Sequence, residues 1–418
     1  MAASILTQAV SGAGLSCLRR RTGLRCLSAP AGWGKRQGQQ VRKEPPEIPG
    51  LERITYADRM YYLPWLARPR FPDFKKDWSD PFHYRAPAPE EMKLYKERPS
   101  FVFQRSCRLL GGVKQALWLT KTKMIEGLPQ KILSICENPD YQFPNHEELV
   151  HNTIAQACLW SNTEEQPIRE EYCPKLLQGL LHLCRTQNSK FPALSERSMV
   201  ENCRLSTYWQ RGSDTFHVRG ISGFLLNAKA PLSPLASESE IQDTVPHKLE
   251  SLYPISPAID LQEVNVYKNH NDLGFKEGYP FPDPHTIFIM DPCSTKARFL
   301  PDQLRAKMIM LAFGSALAKA KILNGEESKV LKQPVYVQGI ATDGQLFHFV
   351  AFQLNTLDLE SDDGVKNLVW IDADQPLYDT AFRVPQMKRK VVLAPAGVSG
   401  LRPETFRKFW AMYLHGAV

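Results

Sequence analysis

The chain has 418 residues, 43% of them hydrophobic, and a formal net charge of +8 at pH 7. This length allows one large domain or two ordinary ones with a substantial core. A membrane-spanning helix is excluded, because no run approaches the roughly 18 to 20 uninterrupted apolar residues that such a helix requires.

The first 43 residues differ in composition from the remainder. They carry eight basic residues and no acidic one, with small or hydroxylated residues between the arginines. This composition is typical of a mitochondrial transit peptide, with a disordered basic tail as the alternative. We therefore expect residues 1–29 to be a transit peptide that directs the chain to mitochondria.

Without those eight basic residues, the net positive charge of the chain disappears. Of the 52 basic residues, 44 then remain, against 44 acidic residues. Non-specific binding to nucleic acid depends on an excess of basic charge that neutralises phosphates. The balance excludes a body that coats RNA by charge alone, so any RNA contact must come from local patches or from a basic arm.

Residues 30–100 are predicted to form an extended arm ahead of a globular body, residues 101–418. Prolines recur through the arm and disfavour helix, while its many aromatic residues are unsuited to a solvated linker. Such a segment should lie across another surface, either the chain's own body or a partner. Basic residues that suit phosphate contact are interleaved with the aromatic ones: Arg68, Arg70, Lys75 and Lys76.

Residues 101–190 have the i, i+3, i+4 apolar spacing of helices. Helices are predicted at 111–128, 129–137, 147–160 and 174–187. In the first of them, Lys121 and Lys123 are interpreted as helical surface lysines, or as rRNA contacts if the partner is a ribosome.

After residue 203 the apolar period changes to the alternation of strands. A hairpin is predicted over 203–220 around the turn RGSD (211–214), with further strands at 259–267 and 286–290. Residues 227–250 are rich in Pro, Ser and Glu and are expected to form a surface loop with a short helix.

The C-terminal part contains the strongest helix and hairpin patterns. Residues 302–324 are apolar on most sides, with Asp302 as N-cap and Gly325 as the stop, which predicts a buried helix. Asp343–Gly344 between two apolar runs indicates a type I′ hairpin. Strands at 367–373 and 390–396 and a helix at 403–416 complete the chain.

Together these elements indicate an α+β fold. A helical N-terminal half, preceded by the extended arm, is followed by a mixed, mostly antiparallel sheet with helices in the C-terminal half. No internal repeat is found in the sequence.

No motif for catalysis, cofactor binding or metal binding is found. The sequence lacks a Walker-type phosphate loop, a Gly-x-Ser-x-Gly elbow and a His-Glu-x-x-His pair. The nine cysteines form no Cys-x-x-Cys pair, and their scattered positions favour free thiols over disulfides or a zinc site. We therefore predict no catalytic residues, no cofactor and no bound metal.

Two charged clusters leave alternatives open. Carboxylates and a lysine around one strand could hold a divalent metal for phosphodiester hydrolysis, or could mark a turn and a strand end: Asp362, Asp363, Lys366, Asp372 and Asp374. The run Lys388-Arg389-Lys390 could bind phosphate or could discourage strand pairing at a sheet edge.

Several long segments resemble the vertebrate family of mitochondrial large-subunit ribosomal protein thirty-seven. The resemblance covers roughly residues 48–417, and residues 1–47 and 225–250 depart from it. Its longest segments are GVKQALWLTKTKMIEGLP (112–129), PDQLRAKMIMLAFGSALAKA (301–320), TDGQLFHFVAFQLNT (342–356) and PETFRKFWAMYLHGA (403–417).

This resemblance implies a structural constituent of the mitochondrial large ribosomal subunit, located in the matrix and without catalytic activity. The implied partners are the large-subunit rRNA and other mitochondrial ribosomal proteins. Among these proteins, a paralogue formerly catalogued as small-subunit protein thirty is expected to form a heterodimer with the chain. The resemblance assigns no rRNA-binding residues. A nuclease-like enzyme and a ribosome assembly factor remain the alternatives.

Overall fold

The computed structural model describes residue 49 and residues 99–418, apart from 105, 161–166, 222, 267–268, 291–298, 328 and 389–390. The chain divides into two units, residues 1–86 and 87–418, and the elements described all belong to the second. The predicted transit peptide, and the arm up to residue 98 except for residue 49, lie outside the described residues. The proposed boundaries of these two segments stay a prediction.

The described residues form helices and strands that alternate along the whole body. The α-helices are α1 Gly112–Thr120, α2 Gln130–Glu137, α3 His146–Cys158, α4 Arg169–Thr186, α5 Glu238–Gln242, α6 Pro301–Asn324 and α7 Pro403–Leu414. The strands are β1 Ser100–Phe103, β2 Thr122–Glu126, β3 Arg197–Glu201, β4 Arg204–Arg211, β5 Asp214–Ile221, β6 Phe224–Ala228, β7 Gln262–Val264, β8 Asp283–Ile289, β9 Val330–Thr342, β10 Leu346–Thr356, β11 Asn367–Pro376, β12 Thr380–Phe382, β13 Gln386–Lys388, β14 Val391–Ala394 and β15 Gly397–Ser399. Each helix in the described part of the chain is too short or too polar to cross a membrane.

Two sheets organise the body. The large sheet has the order β2-β11-β10-β9-β8-β6-β3, in which only the β2–β11 and β8–β9 pairs are parallel. The small sheet has the order β4-β5-β1-β7, with a parallel β1–β5 pair. The predicted α+β class with a mixed, mostly antiparallel sheet is therefore confirmed, and β1 and β2 bring strands of the N-terminal half into both sheets.

The predicted helix 111–128 is wrong in its second half. Lys121 adopts a left-handed backbone with φ of 50° and ends α1. The chain then enters β2, where Thr122 lies opposite Asn367 of β11. Because β2 pairs only with a segment far away in sequence, the local apolar spacing did not reveal it.

The large sheet buries both of its faces, as its alternating side chains require. On β10, Phe349 and Ala351 face a core that also contains α2, α3, α4 and α7. Val350 and Phe352 face the opposite core, which contains α1, α6 and the inner face of the small sheet. The two sheets therefore enclose α6 between them.

Helix α6 is shaped for this enclosed position. A Cβ atom at Gly314 would lie 3.0 Å from Leu205 Cδ2 and 3.1 Å from Val218 Cγ1, so glycine allows the small sheet to approach closely. One of its few charged residues, Lys319, forms an ion pair of 2.8 Å with Asp283 of β8. Both side chains are about nine-tenths buried. Charged groups are tolerated inside a protein when they are paired in this way.

The end of α7 is fixed by an arginine from the edge of the large sheet. Arg197 of β3 donates hydrogen bonds to the carbonyl oxygens of Tyr413 and His415. Nε2 of the buried His285 lies 2.9 Å from the same His415 oxygen. Because the last carbonyls of a helix have no partner within it, these donors satisfy the C-terminus of α7.

His217 is a buried residue on the outer face of the small sheet. It lies opposite Tyr208, and neither ring nitrogen has a hydrogen-bond partner among the described residues. Burial, with the nearby charges of Arg219 and Lys321, lowers the pKa of His217 to about 4. The folded protein therefore holds this ring in its neutral form.

We predict that the unfolding free energy falls between pH 7 and pH 5, in part through His217. Its folded-state pKa is lowered, so its contribution is present above pH 6.5 and is lost as the unfolded chain takes up a proton. For one such histidine this loss is on the order of 2 kcal/mol at pH 5. Denaturant unfolding measures the free energy at both pH values. Between pH 7 and pH 5, His217→Phe should lose less unfolding free energy than the parent chain. The exposed control His151→Phe should show no such reduction. Equal losses in all three proteins would contradict the prediction.

Candidate nucleic-acid interface

The acidic residues that could have held a catalytic metal do not converge. Asp362 lies in the loop before β11, whereas Asp372 lies five residues beyond the start of that strand, about 17 Å along it at 3.3 Å per residue. Among the described residues, no group of three or more His, Cys, Asp or Glu side chains could hold a metal ion. The geometry thus does not support the nuclease-like alternative.

Each of these carboxylates near the end of β11 has a cationic partner within the body. Asp372 accepts a hydrogen bond from Lys408 Nζ at 2.6 Å. Asp374 pairs with Arg305, and its backbone amide donates to Nδ1 of His348 at 3.0 Å. These contacts join α6 and α7 to β11, which is a structural role.

Three cations face inward and hold the loop between β10 and β11. The Lys121 ammonium, only 1% exposed, donates to the carbonyl oxygen of Asp358 at 2.9 Å. Arg211 donates to the Leu359 carbonyl oxygen at 2.9 Å and pairs with Asp362. Lys366 donates to the carbonyl oxygen of Gly364 at 2.7 Å.

The Arg211 guanidinium is held on both sides. Its Cζ lies 4.3 Å from the centroid of the Trp118 ring, which places the cation over an aromatic face. Burial lowers the pKa of Arg211, while Asp362 counteracts this shift by stabilising the charge. Arg211 therefore connects β4, α1 and the β10–β11 loop.

The structure describes few of the predicted rRNA contacts. Lys121 is not a helical surface lysine, because its buried ammonium is occupied by the loop, and this position does not suit contact with phosphate. Lys123 is half-buried on β2, the edge strand of the large sheet. Lys388 belongs to β13, but its side chain is not described, and the remaining candidates lie outside the described residues: Arg68, Arg70, Lys75, Lys76, Arg389 and Lys390. These assignments stay predictions.

An open groove that the sequence interpretation did not single out lies on the small sheet. Its volume is about 630 Å³, and two guanidinium groups, Arg204 of β4 and Arg219 of β5, line it together with Ile221 and His270. The hairpin pairs Arg211 with Asp214 and Ser206 with Arg219. Because residues two apart in a strand share a face, the predicted hairpin would have placed both arginines on one side.

A family model and several curated proteins are similar to this chain. The family model described as "Mitochondrial 28S ribosomal protein S30 (PDCD9)" matches residues 289–414. Large ribosomal subunit protein mL37 of Gallus gallus is 53% identical over 369 residues, which cover 88% of this chain and 86% of that protein. The proteins of the same name from Bos taurus and Rattus norvegicus are 51% and 50% identical, and each match covers 92% of both chains.

The two kinds of match differ in the ribosomal subunit that they name. The family model names a protein of the small subunit, but it spans less than half of this chain. The relatives named for the large subunit match nearly the whole of it. The full-length matches therefore carry more weight.

Replacing Arg211 should destabilise the folded body. In Arg211→Met, the carbonyl oxygen of Leu359 and the carboxylate of Asp362 lose their donor, so we expect the unfolding free energy to fall by about 3 kcal/mol. The matched control is Arg204→Met on the same strand, whose exposed side chain has no ion pair within the described part of the chain and should change stability by about 0.5 kcal/mol or less. Urea unfolding measures both, and equal effects would contradict the role of Arg211.

Proposed function

Because the chain belongs to the family of large ribosomal subunit protein mL37, we propose that it is a structural constituent of the mitochondrial large ribosomal subunit, located in the matrix, and not an enzyme. The observation that carries this proposal is identity of 50% or more across about nine-tenths of each chain. Identity at this level, over about nine-tenths of each chain, is sufficient for the two proteins to share a fold. The family resemblance of the sequence is thereby confirmed.

The internal use of charge supports a structural role. The acidic residues around β11 pair with Lys408, Arg305 and Arg211, and these pairs connect helices and loops of the body. A body with equal numbers of acidic and basic residues, many of them paired with one another, has little net attraction for phosphates. Its contacts in the ribosome should therefore be with other proteins and with local stretches of rRNA.

A heterodimer with the paralogue formerly catalogued as small-subunit protein thirty is the more specific proposal. Support comes from the family model described as mitochondrial ribosomal protein S30, which matches residues 289–414. This region includes α6, the strands β9–β11 and α7, so the two proteins share the central part of the fold. Related chains can pair through equivalent surfaces about an approximate two-fold axis.

The assembly-factor alternative differs from a structural constituent in where the protein is found. Quantitative mass spectrometry of salt-washed mitochondrial ribosomes across a sucrose gradient should give one copy of the chain per large subunit, retained in translating monosomes. An established large-subunit protein provides the internal reference for stoichiometry. Loss on salt washing, or enrichment in immature subunits alone, would contradict the structural role and favour an assembly factor.

The aromatic arm is proposed to anchor the chain in the ribosome. Deleting residues 44–86 should weaken incorporation into large subunits while the body still folds, because residues between Phe103 and Leu414 supply the buried residues of both described cores. A second variant, with Arg68, Arg70, Lys75 and Lys76 changed to Gln, separates phosphate contact from aromatic contact. Gradient fractions and protease resistance of the body are the measurements, and normal incorporation of the deletion variant would refute the anchor.

A further inference from the structure

The groove on the small sheet has two cations at a defined spacing. In the antiparallel β4–β5 pair, Arg204 lies opposite Ile221, and Ser206 lies opposite Arg219. Arg204 and Arg219 are therefore diagonal neighbours on one face, at a typical separation of about 7 to 8 Å for such pairs. Because the two side chains start from neighbouring positions on one face, a single phosphodiester chain can contact both guanidinium groups.

Arg204 and Arg219 differ from the internally paired arginines of the described body. Within the part of the chain that the structure describes, neither guanidinium has an ion pair or hydrogen bond, in contrast to Arg211 and Arg305. Asp272 is the acidic residue of the groove, and its Oδ1 accepts a hydrogen bond from the Gly274 amide at 2.6 Å. The lowered pKa of His217, to which the charge of Arg219 contributes, is consistent with a locally positive face.

The remaining walls combine apolar surface with a few polar groups. Ile221 is 45% exposed and lies beside the two arginines. On the opposite wall, the Ser206 hydroxyl donates to the carbonyl oxygen of His270 at 3.3 Å, which ties the crossing loop to β4. A volume of about 630 Å³ lies within the range of about 300 to 1,000 Å³ of ligand-binding pockets.

We propose that the β4–β5 groove, formed by Arg204, Ser206, Arg219, Ile221, His270 and Asp272, binds an unpaired nucleotide of RNA. The two guanidinium groups contact the flanking phosphates, and the base packs against Ile221. Unpaired RNA fits better than a duplex, since only an unstacked base can enter such a groove. This assignment rests on the proposed ribosomal function, because rRNA then supplies the ligand.

Charge complementarity favours RNA over a protein segment in this position. An acidic peptide could also neutralise the two arginines, but it would need separate side chains for the anions and for a planar group. A nucleotide carries phosphates and a planar base in one unit, which suits two arginines beside the exposed Ile221 side chain.

Binding of a fluorescent, mixed-sequence single-stranded RNA to the chain from residue 30 to residue 418 tests the groove. Fluorescence anisotropy at several salt concentrations should show roughly tenfold weaker binding by the double variant Arg204→Gln with Arg219→Gln. A plot of the logarithm of the binding constant against the logarithm of the salt concentration should have a slope smaller in magnitude by about 1.4 for this variant. Each phosphate contact in a single strand contributes about 0.7 to that slope. The same RNA annealed into a duplex should bind the parent chain more weakly than the single strand.

A matched variant separates the groove from general charge. Lys175→Gln with Arg185→Gln removes the same net charge from the exposed side of α4, away from the small sheet, and should leave RNA binding within twofold. If the two double variants weaken binding equally, attraction is non-specific and the groove proposal is overturned. Circular dichroism of both variants checks that they remain folded.

Photo-crosslinking keeps the test valid even if an arginine variant is unstable. The photoreactive residue p-benzoylphenylalanine is placed at position 221 of the otherwise intact chain in mitochondria. Irradiation should attach RNA to the chain, and ribonuclease treatment should reduce the size of these adducts. Adducts formed only with a protein would overturn the proposal and make the groove a protein interface.

The groove and the ribosomal function can fail separately. Absence of the parent chain from large subunits would refute the ribosomal function itself. Normal incorporation of the chain, together with protein-only adducts at position 221, would overturn the groove alone.

Discussion

The enclosure of α6 between two sheets is the constraint on which the rest of the body depends. The helix is buried from Gln303 to Ala320 with the exception of Arg305, so it has no solvent face to orient it. Its position is set by shape and by ion pairs with the large sheet. Gly314 admits the small sheet at van der Waals distance, and Lys319 pairs with Asp283 on the large sheet. Strands β8–β11 pack on one side, and β4 and β5 on the other.

A second constraint is the inward use of charge. Lys121, Arg211 and Lys366 donate to carbonyl oxygens of the β10–β11 loop, and the contact of Arg211 with Leu359 is buried. A loop held in this way needs no helix or strand of its own, because the cations replace the missing backbone hydrogen bonds. Among the acidic residues that resemble a metal site in sequence, Asp362 pairs with Arg211, whereas Asp372 and Asp374 pair with Lys408 and Arg305.

These two constraints determine which surfaces remain for partners. With the large sheet covered on both faces and many charges paired internally, the accessible features of the described body are sheet edges and local patches. Strand β2, with the half-buried Lys123, forms one such edge. The outer face of the small sheet, with Arg204 and Arg219, forms another. A ribosomal protein built in this way binds through particular sites and not through its overall charge.

The sequence alone determined the features that depend on neighbouring residues. Helix α6, the hairpin at Asp343–Gly344 and helix α7 were predicted within a few residues of their observed bounds, because turn residues and apolar spacing are local signals. Two finer predictions were wrong. Leu300 and not Asp302 is the N-cap of α6, and the turn is not of type I′, because Gly344 has a positive φ and Asp343 does not. The family was also evident from long contiguous segments. The charge balance of the body followed directly from the composition.

The tertiary structure decided every feature that depends on distant pairing. Strand β2 follows a helical pattern but pairs with β11, and the change from helix to strand turns Lys121 from the surface into the interior. Asp362 and Asp372 are close in sequence but separated along an extended strand. Arg204 and Arg219, fifteen positions apart, share one groove because the hairpin register brings them together. Local spacing specifies an element, whereas the energy of sheet pairing and burial specifies where that element lies.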